Sequence, residues 1–337
     1  MLRGTSSLIS WVLSDGKAGD ELQALSVAEA LGLEPEIRRV RPGAPFTWAM
    51  PWGPIDPRER PGAPGSPTAG PYPDILIASG RRAVPYLRFV KRASGGRTYT
   101  VFLKDPRTGP ETADFIWMPD YDRLRGPNVL TTLTPPHRVS ARRIEAARTH
   151  PDPRLAALPH PRVAVLVGGD SRHHRFMERD IALFVERLTV LAESGAGLMM
   201  TASRRTPRPL REALTDLSGR HGAFFWDGSG ENPYVALLGL ADFIVATADS
   251  SNMIGEAAAS GQPILVFEPS GGHPKLAVYM ESLKAHGIVH PFDGRLVGRP
   301  YEPLNSTLKI AAAVVRGFSL HRRSLGLPDI AFSLEIS

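Results

Sequence analysis

Between residues 241 and 267 the chain reads ADFIVATADSSNMIGEAAASGQPILVF. An apolar run of strand length at 243–246 is followed by a short polar turn. Small residues in a helical pattern come next, then a stop at Gly261, then a second apolar run at 264–267. Strand, turn, helix, glycine and strand in so short a span make a βαβ unit, which requires a parallel sheet covered by helices. Ser250, Ser251 and Asn252 fall at the start of the helix, where hydroxyls and unsatisfied amides attract an anion. Glu256 lies in the first or second turn, where it reaches ligand hydroxyls and repels phosphate. A sugar diphosphate needs that division of labour. Asp249 is a discordant charge unless it caps the helix.

The same rhythm extends in both directions. Apolar runs at 163–167, 198–201 and 223–226 alternate with helical patterns at 176–193, 209–217, 234–240, 254–260 and 275–286. A separate series places strands at 9–13, 37–40, 75–78, 99–103 and 115–118, with helices at 21–31 and near 83–93. Prolines at 151, 153, 159 and 161 interrupt both periodicities and read as a linker. The expected fold is α/β, two Rossmann-like domains facing a cleft. The expected domains are 1–158 and 159–304, with a helix and tail at 305–337 that is free to cross back to the first. Open α/β sheets bind ligands at the C-terminal ends of their strands, so the loops there are the candidate sites.

The chain has 337 residues, a net charge of +6 and no cysteine. Disulfides, zinc ribbons, iron–sulfur clusters and thiol nucleophiles are excluded. No apolar run approaches the roughly 20 residues needed to span a bilayer. The run at 8–13 is too short for a signal peptide and is followed by charge, so the expectation is a cytoplasmic protein. Residues 1–158 carry 22 basic and 16 acidic side chains, and residues 159–337 carry 18 of each. The excess therefore sits in the first half, from base composition or from an anionic partner such as a membrane surface or a phosphorylated ligand. The basic residues are dispersed and accompany no nucleic-acid recognition motif, so nucleic acid is not expected as a partner. Within a proline-rich stretch at 42–73, Trp48 and Trp52 are flanked by Arg41 and Arg58. Two readings stay open: a tethered loop whose aromatics pack on the domain, or an interfacial anchor on the inner face of a membrane.

Two further loops follow strands and open helices. Residues 14–21 hold Gly16, Lys17 and Gly19 together with Asp20 and Glu21. Their acidity argues against phosphate and suits general-base work on an acceptor hydroxyl, with Asp20 first and Glu21 and Asp105 as substitutes. Capping of the helix by Asp20 is the simpler alternative. Residues 168–175 begin with Gly168 and Gly169, which allow close backbone approach, and continue through Ser171 to basic residues that can face a diphosphate. His173 and His174 are adjacent, which is unsuited to a helical metal pair. No metal and no cofactor are expected.

The segment at 241–267, with Gly168 and Gly169 before it, resembles the nucleotide-sugar domain of GT-B glycosyltransferases. It is most similar to those adding N-acetylglucosamine to a lipid-linked peptidoglycan precursor. That resemblance implies diphosphate at Ser250 and Ser251, ribose at Glu256, and Gly168, Gly169 and Arg204 bordering the same UDP-type site. The helix after the first loop is matched by residues 23–28, and Asp20 stands where those enzymes have histidine. A wider resemblance rests on the motifs at 15–19, 80–82, 125–130, 168–171, 201–207 and 291–294. Together these are similar to the bacterial relatives of the plant elongated-mitochondria fission factor family, which implies work at a membrane. Two activities follow as expectations: transfer of a sugar from a nucleotide donor to a membrane or envelope acceptor, or a non-catalytic peripheral membrane adaptor on the same scaffold.

Overall fold

Twelve strands form two six-stranded, wholly parallel sheets in a computed structural model that describes residues 3–4 and 8–334. The chain divides into two units, residues 1–138 with 305–337, and residues 139–304. The few residues at each end beyond the described span belong to the expected first and third segments and lie outside the description.

In the first unit, strands β1 (Ser10–Ser14), β2 (Glu36–Arg39), β3 (Ile75–Ser79), β4 (Tyr99–Leu103), β5 (Phe115–Pro119) and β6 (Val129–Thr132) are ordered β2-β1-β3-β4-β5-β6. β1, β3, β4 and β5 are buried along their whole length, as strands covered on both faces must be. Alternate residues point to opposite faces. Val12, Ile77, Val101 and Trp117 meet helix α1 (Ala18–Ala30) and the C-terminal helix Ser306–Ser324. The C-terminal helix thus returns to the first unit. Trp11, Leu76, Phe102 and Ile116 meet helix α2 (Val84–Ala93) together with Met50 and Ile55 of the proline-rich stretch.

In the second unit, β7 (Arg162–Val167), β8 (Gly197–Ala202), β9 (Phe224–Trp226), β10 (Phe243–Thr247), β11 (Ile264–Phe267) and β12 (Val289–Pro291) are ordered β9-β8-β7-β10-β11-β12. Phe184, Leu188, Leu210 and Leu214 cover one face. Residues 139–158 go with this unit, because helix Ala141–Thr149 packs on helix Tyr234–Leu240. A Cβ on Gly239 would lie 2.8 Å from the Ala147 methyl, and Arg148 Nε donates to the Gly239 carbonyl at 3.1 Å. The prolines at 150–161 interrupt helices without parting the units.

Strand order reverses between β1 and β3 in the first unit and between β7 and β10 in the second. At such switch points the flanking loops diverge and leave a crevice beyond the carboxyl ends.

Candidate functional site

The second switch point is closed by its own residues. The Gly168 amide donates to Thr247 Oγ1 at 2.8 Å, and that hydroxyl donates to Asp249 Oδ1 at 2.7 Å. The Gly169 amide and Arg205 Nη2 donate to Asp249 Oδ2 at 3.0 and 3.1 Å. The Asp249 side chain is wholly buried. A Cβ on Gly168 would stand 2.2 Å from the Asp249 carboxylate, and one on Gly169 would stand 2.1 Å from the Arg205 carbonyl. The paired glycines therefore permit close approach of the chain to itself, and their amides are not available to a phosphate. Asp249 is not a cap: Ser250 caps helix α3 (Ser251–Ala257), accepting from the Met253 amide at 3.4 Å.

The remaining predicted residues divide in two. The Ser171 hydroxyl is committed to a turn, accepting from the His173 and His174 amides at 3.2 and 3.0 Å. Arg204 is exposed and makes no hydrogen bond or ion pair among the described residues. Ser251 and Asn252 are half-buried in the first turn of α3. Glu256 accepts from the Tyr234 hydroxyl at 2.8 Å. Burial pushes the Glu256 carboxyl above the usual glutamate range and the Tyr234 phenol well above its own. Tyr234 and Arg205 were missed by sequence reasoning. Tyr234 is 22 residues from Glu256, and no local pattern joins them.

The first switch point repeats the arrangement with different partners. Asp15 faces Gly80, where a Cβ would lie 2.9 Å from the carboxylate and where φ is +94°. Lys17 Nζ pairs with Asp15 Oδ2 at 2.8 Å, the Asp15 side chain is 3% exposed, and Oδ1 is buried without a hydrogen-bond partner. Asp20 does not cap the helix. The cap position is Lys17, and Asp20 lies in the first turn of α1, paired with Lys104 Nζ at 2.5 Å. Lys104 holds that position from a left-handed conformation, φ +78°, which a non-glycine residue adopts at a cost. Glu21 accepts from Arg39 Nη2 and Nε at 2.6 and 2.9 Å, and from the Ser14 hydroxyl at 2.8 Å. Arg39 holds its carboxyl below the usual range, which makes Glu21 a poor base. Asp105 is exposed and accepts from the Arg107 amide at 2.7 Å in a tight turn. Gly16, at φ +83°, supplies the bend after β1, and Gly19 lies in the first turn of α1.

The proline-rich stretch is anchored. Met50 is fully buried and Phe46 packs against the core, yet Trp48 and Trp52 are 78% and 69% exposed. Arg58 binds the buried Asp56 at 2.7 Å, and Tyr86 donates to Glu59. Among the described residues no helix is long and apolar enough to cross a membrane.

Comparison with known proteins places these features in a family. A profile described as Mitochondrial fission ELM1 matches residues 18–318. The chain is 28% identical to a mitochondrial fission protein of Arabidopsis thaliana over 74% of this chain and 66% of that protein. It is 29% identical to an uncharacterized Rickettsia prowazekii protein over 45% of each. The chain thus spans two thirds or less of these relatives. Among solved structures, a Listeria monocytogenes protein described as a UDP-N-acetylglucosamine 2-epimerase is similar at TM-score 0.50 and 14% identity, over 96% of this chain and all of that one. A Polygonum tinctorium UDP-glucosyltransferase is similar at TM-score 0.51 and 11% identity, over 94% and 93%. The Staphylococcus aureus MnaA–UDP structure gives TM-score 0.51 at 11%, over 96% and 100%. These likenesses show a GT-B fold.

Proposed function

The chain belongs to the mitochondrial fission ELM1 family, and on that premise we propose that its second unit binds a nucleoside diphosphate sugar of the UDP type for transfer to an acceptor at a membrane. The observation that carries this reading is the pair of side chains at the second switch point, an unpaired guanidinium and a buried carboxyl held by a single phenol. Arg204 offers a free guanidinium on the loop after β8, and Glu256 offers a carboxyl one to two turns inside the helix after β10. In this reading Arg204, with Ser251 and Asn252, holds the diphosphate, and Glu256 releases Tyr234 or shares it to hold the ribose hydroxyls. Arg205 neutralises Asp249, so the carboxylate does not repel the diphosphate. A neighbour of the same fold solved with UDP supports the class of ligand.

In the first unit, Asp15 replaces Asp20 as the group placed to meet an acceptor hydroxyl. Among the described residues of that loop it alone has a buried carboxylate oxygen without a hydrogen-bond partner, and its one ion pair is to the exposed Lys17, whereas Asp20 and Glu21 are held by Lys104 and Arg39. The exposed tryptophans and the basic excess of the first half fit an inner-membrane face. The same ion pairs favour a second reading, a peripheral adaptor that keeps the nucleotide site without turnover. A thermal-shift panel of nucleoside diphosphates and nucleotide sugars tests the first reading. UDP or a UDP-sugar at a hundredfold excess over its Kd stabilises by about 2.7 kcal/mol. A flat panel removes the nucleotide and leaves the adaptor.

A further inference from the structure

Between the proline-rich stretch and α2 lies a groove of about 460 Å³, lined by Arg60, Arg88 and Arg92 and walled by Trp52 and Phe89. It contains no carboxylate. Among the described residues, the guanidinium groups of Arg60 and Arg92 have no hydrogen-bond or ion-pair partner, and that of Arg88 makes one long contact, 3.4 Å to Thr112 Oγ1. Three neighbouring arginines are committed. Arg38 binds the Ala69 carbonyl at 2.5 Å and lies 3.3 Å over Trp11, Arg39 binds Glu21, and Arg58 binds Asp56. Three guanidinium groups on one groove without a carboxylate, two of them unpaired among the described residues and the third held by one long contact, are a site for an anion, and their planar forks fit phosphate oxygens.

We propose that this groove takes the phosphate headgroup of an anionic membrane lipid. The proposal rests on the membrane reading above and deepens it from a diffuse basic face to one seat. The tryptophans decide between lipid and free phosphate. Trp52 walls the groove and stands 69% exposed, and Trp48 beside it is 78% exposed. Met50 between them is held in the core and Phe46 before them packs against it, so the rings project from a fixed base. A soluble anion has no use for two projecting indoles, whereas rings with an apolar body and a polar tip settle at the headgroup level of a bilayer.

Flotation with phosphatidylcholine vesicles, with and without phosphatidic acid, tests it. The wild type floats with the phosphatidic acid vesicles at low salt and not with phosphatidylcholine alone. Arg88→Gln with Arg92→Gln lowers partitioning about thirtyfold, the factor for two basic residues leaving an anionic surface. Arg60→Gln alone lowers it about fivefold. The control pair Arg97→Gln with Arg123→Gln removes equal charge elsewhere on the first unit and lowers it less than about threefold. Equal losses from both pairs overturn the groove and leave the membrane reading standing. A wild type that does not float overturns both. Calorimetric binding of inorganic phosphate that the Arg88 and Arg92 pair abolishes, without change in flotation, assigns the groove to a soluble anion and overturns the lipid.

Discussion

At the carboxyl edge of the second sheet Asp249 lies against Gly168 and is held by Arg205; at the carboxyl edge of the first, Asp15 lies against Gly80 and is held by Lys17. In both, a buried carboxylate occupies the switch point and a glycine makes room for it. The difference is in completion. Asp249 receives two backbone or side-chain hydrogen bonds besides its arginine; among the described residues Lys17 is the only partner of the Asp15 carboxylate, and its second oxygen has none. A carboxylate fully enclosed by its own chain is a structural tie. One with a buried, unmatched oxygen holds a polar group at a cost that folding does not recover, as a group kept for a ligand does.

The largest test of that contrast is at the glycines. Gly169→Ala places a methyl on the Arg205 backbone, which cannot yield as a side-chain tip can, and should cost more than about 3 kcal/mol in urea unfolding. A loss below about 1 kcal/mol would mean that the loop at 203–206 is not part of the tie. Next are the carboxylates. Asp249→Ala strands the Gly169 amide, the Thr247 hydroxyl and Arg205, and should cost about 2–4 kcal/mol. Asp15→Ala removes an unmatched acceptor and should cost less than about 1 kcal/mol. Equal losses break the comparison.

Glu256 gives a smaller, pH-dependent effect. Its carboxyl is raised in the folded protein, so its contribution is fully present below the ordinary glutamate value of 4.5 and is lost as pH rises through the raised value. Melting temperature should therefore fall with pH from about 4.5 upward more steeply in the wild type than in Glu256→Gln. Parallel curves would mean that Glu256 is not desolvated. The least effect is at Lys17. Its side chain is 66% exposed, and Lys17→Ala should change stability by under about 0.5 kcal/mol. A larger loss would make Asp15 a structural tie like Asp249.

The strand–helix alternation made the two-unit fold legible, because both faces of each sheet are covered and their strands read as apolar runs. The edge strands β6 and β12 were not legible. β6 is only half-buried for most of its length and β12 is three residues ending in proline, so neither carries a periodicity. The helix at 141–149 was not legible either, because its arginine-rich surface hides a single buried Ile144 and leaves no apolar stripe. In the sites, the glycines and acids were legible as residue types and their partners were not. Lys104, Arg205 and Tyr234 reach their carboxylates across 84, 44 and 22 residues, distances at which only the folded sheet edge sets the pairing. Asp20 and Glu21 looked catalytic for that reason: Arg39 lies on β2 and Lys104 just after β4.

Isothermal calorimetry of UDP against the wild type and Glu256→Ala tests the central claim, that the second switch point is a nucleotide site, most directly. The expected result is binding to the wild type that weakens by about 1–3 kcal/mol in the variant, the cost of losing a charged hydrogen bond. Absence of UDP binding to the wild type, or equal affinity in the two proteins, would contradict it.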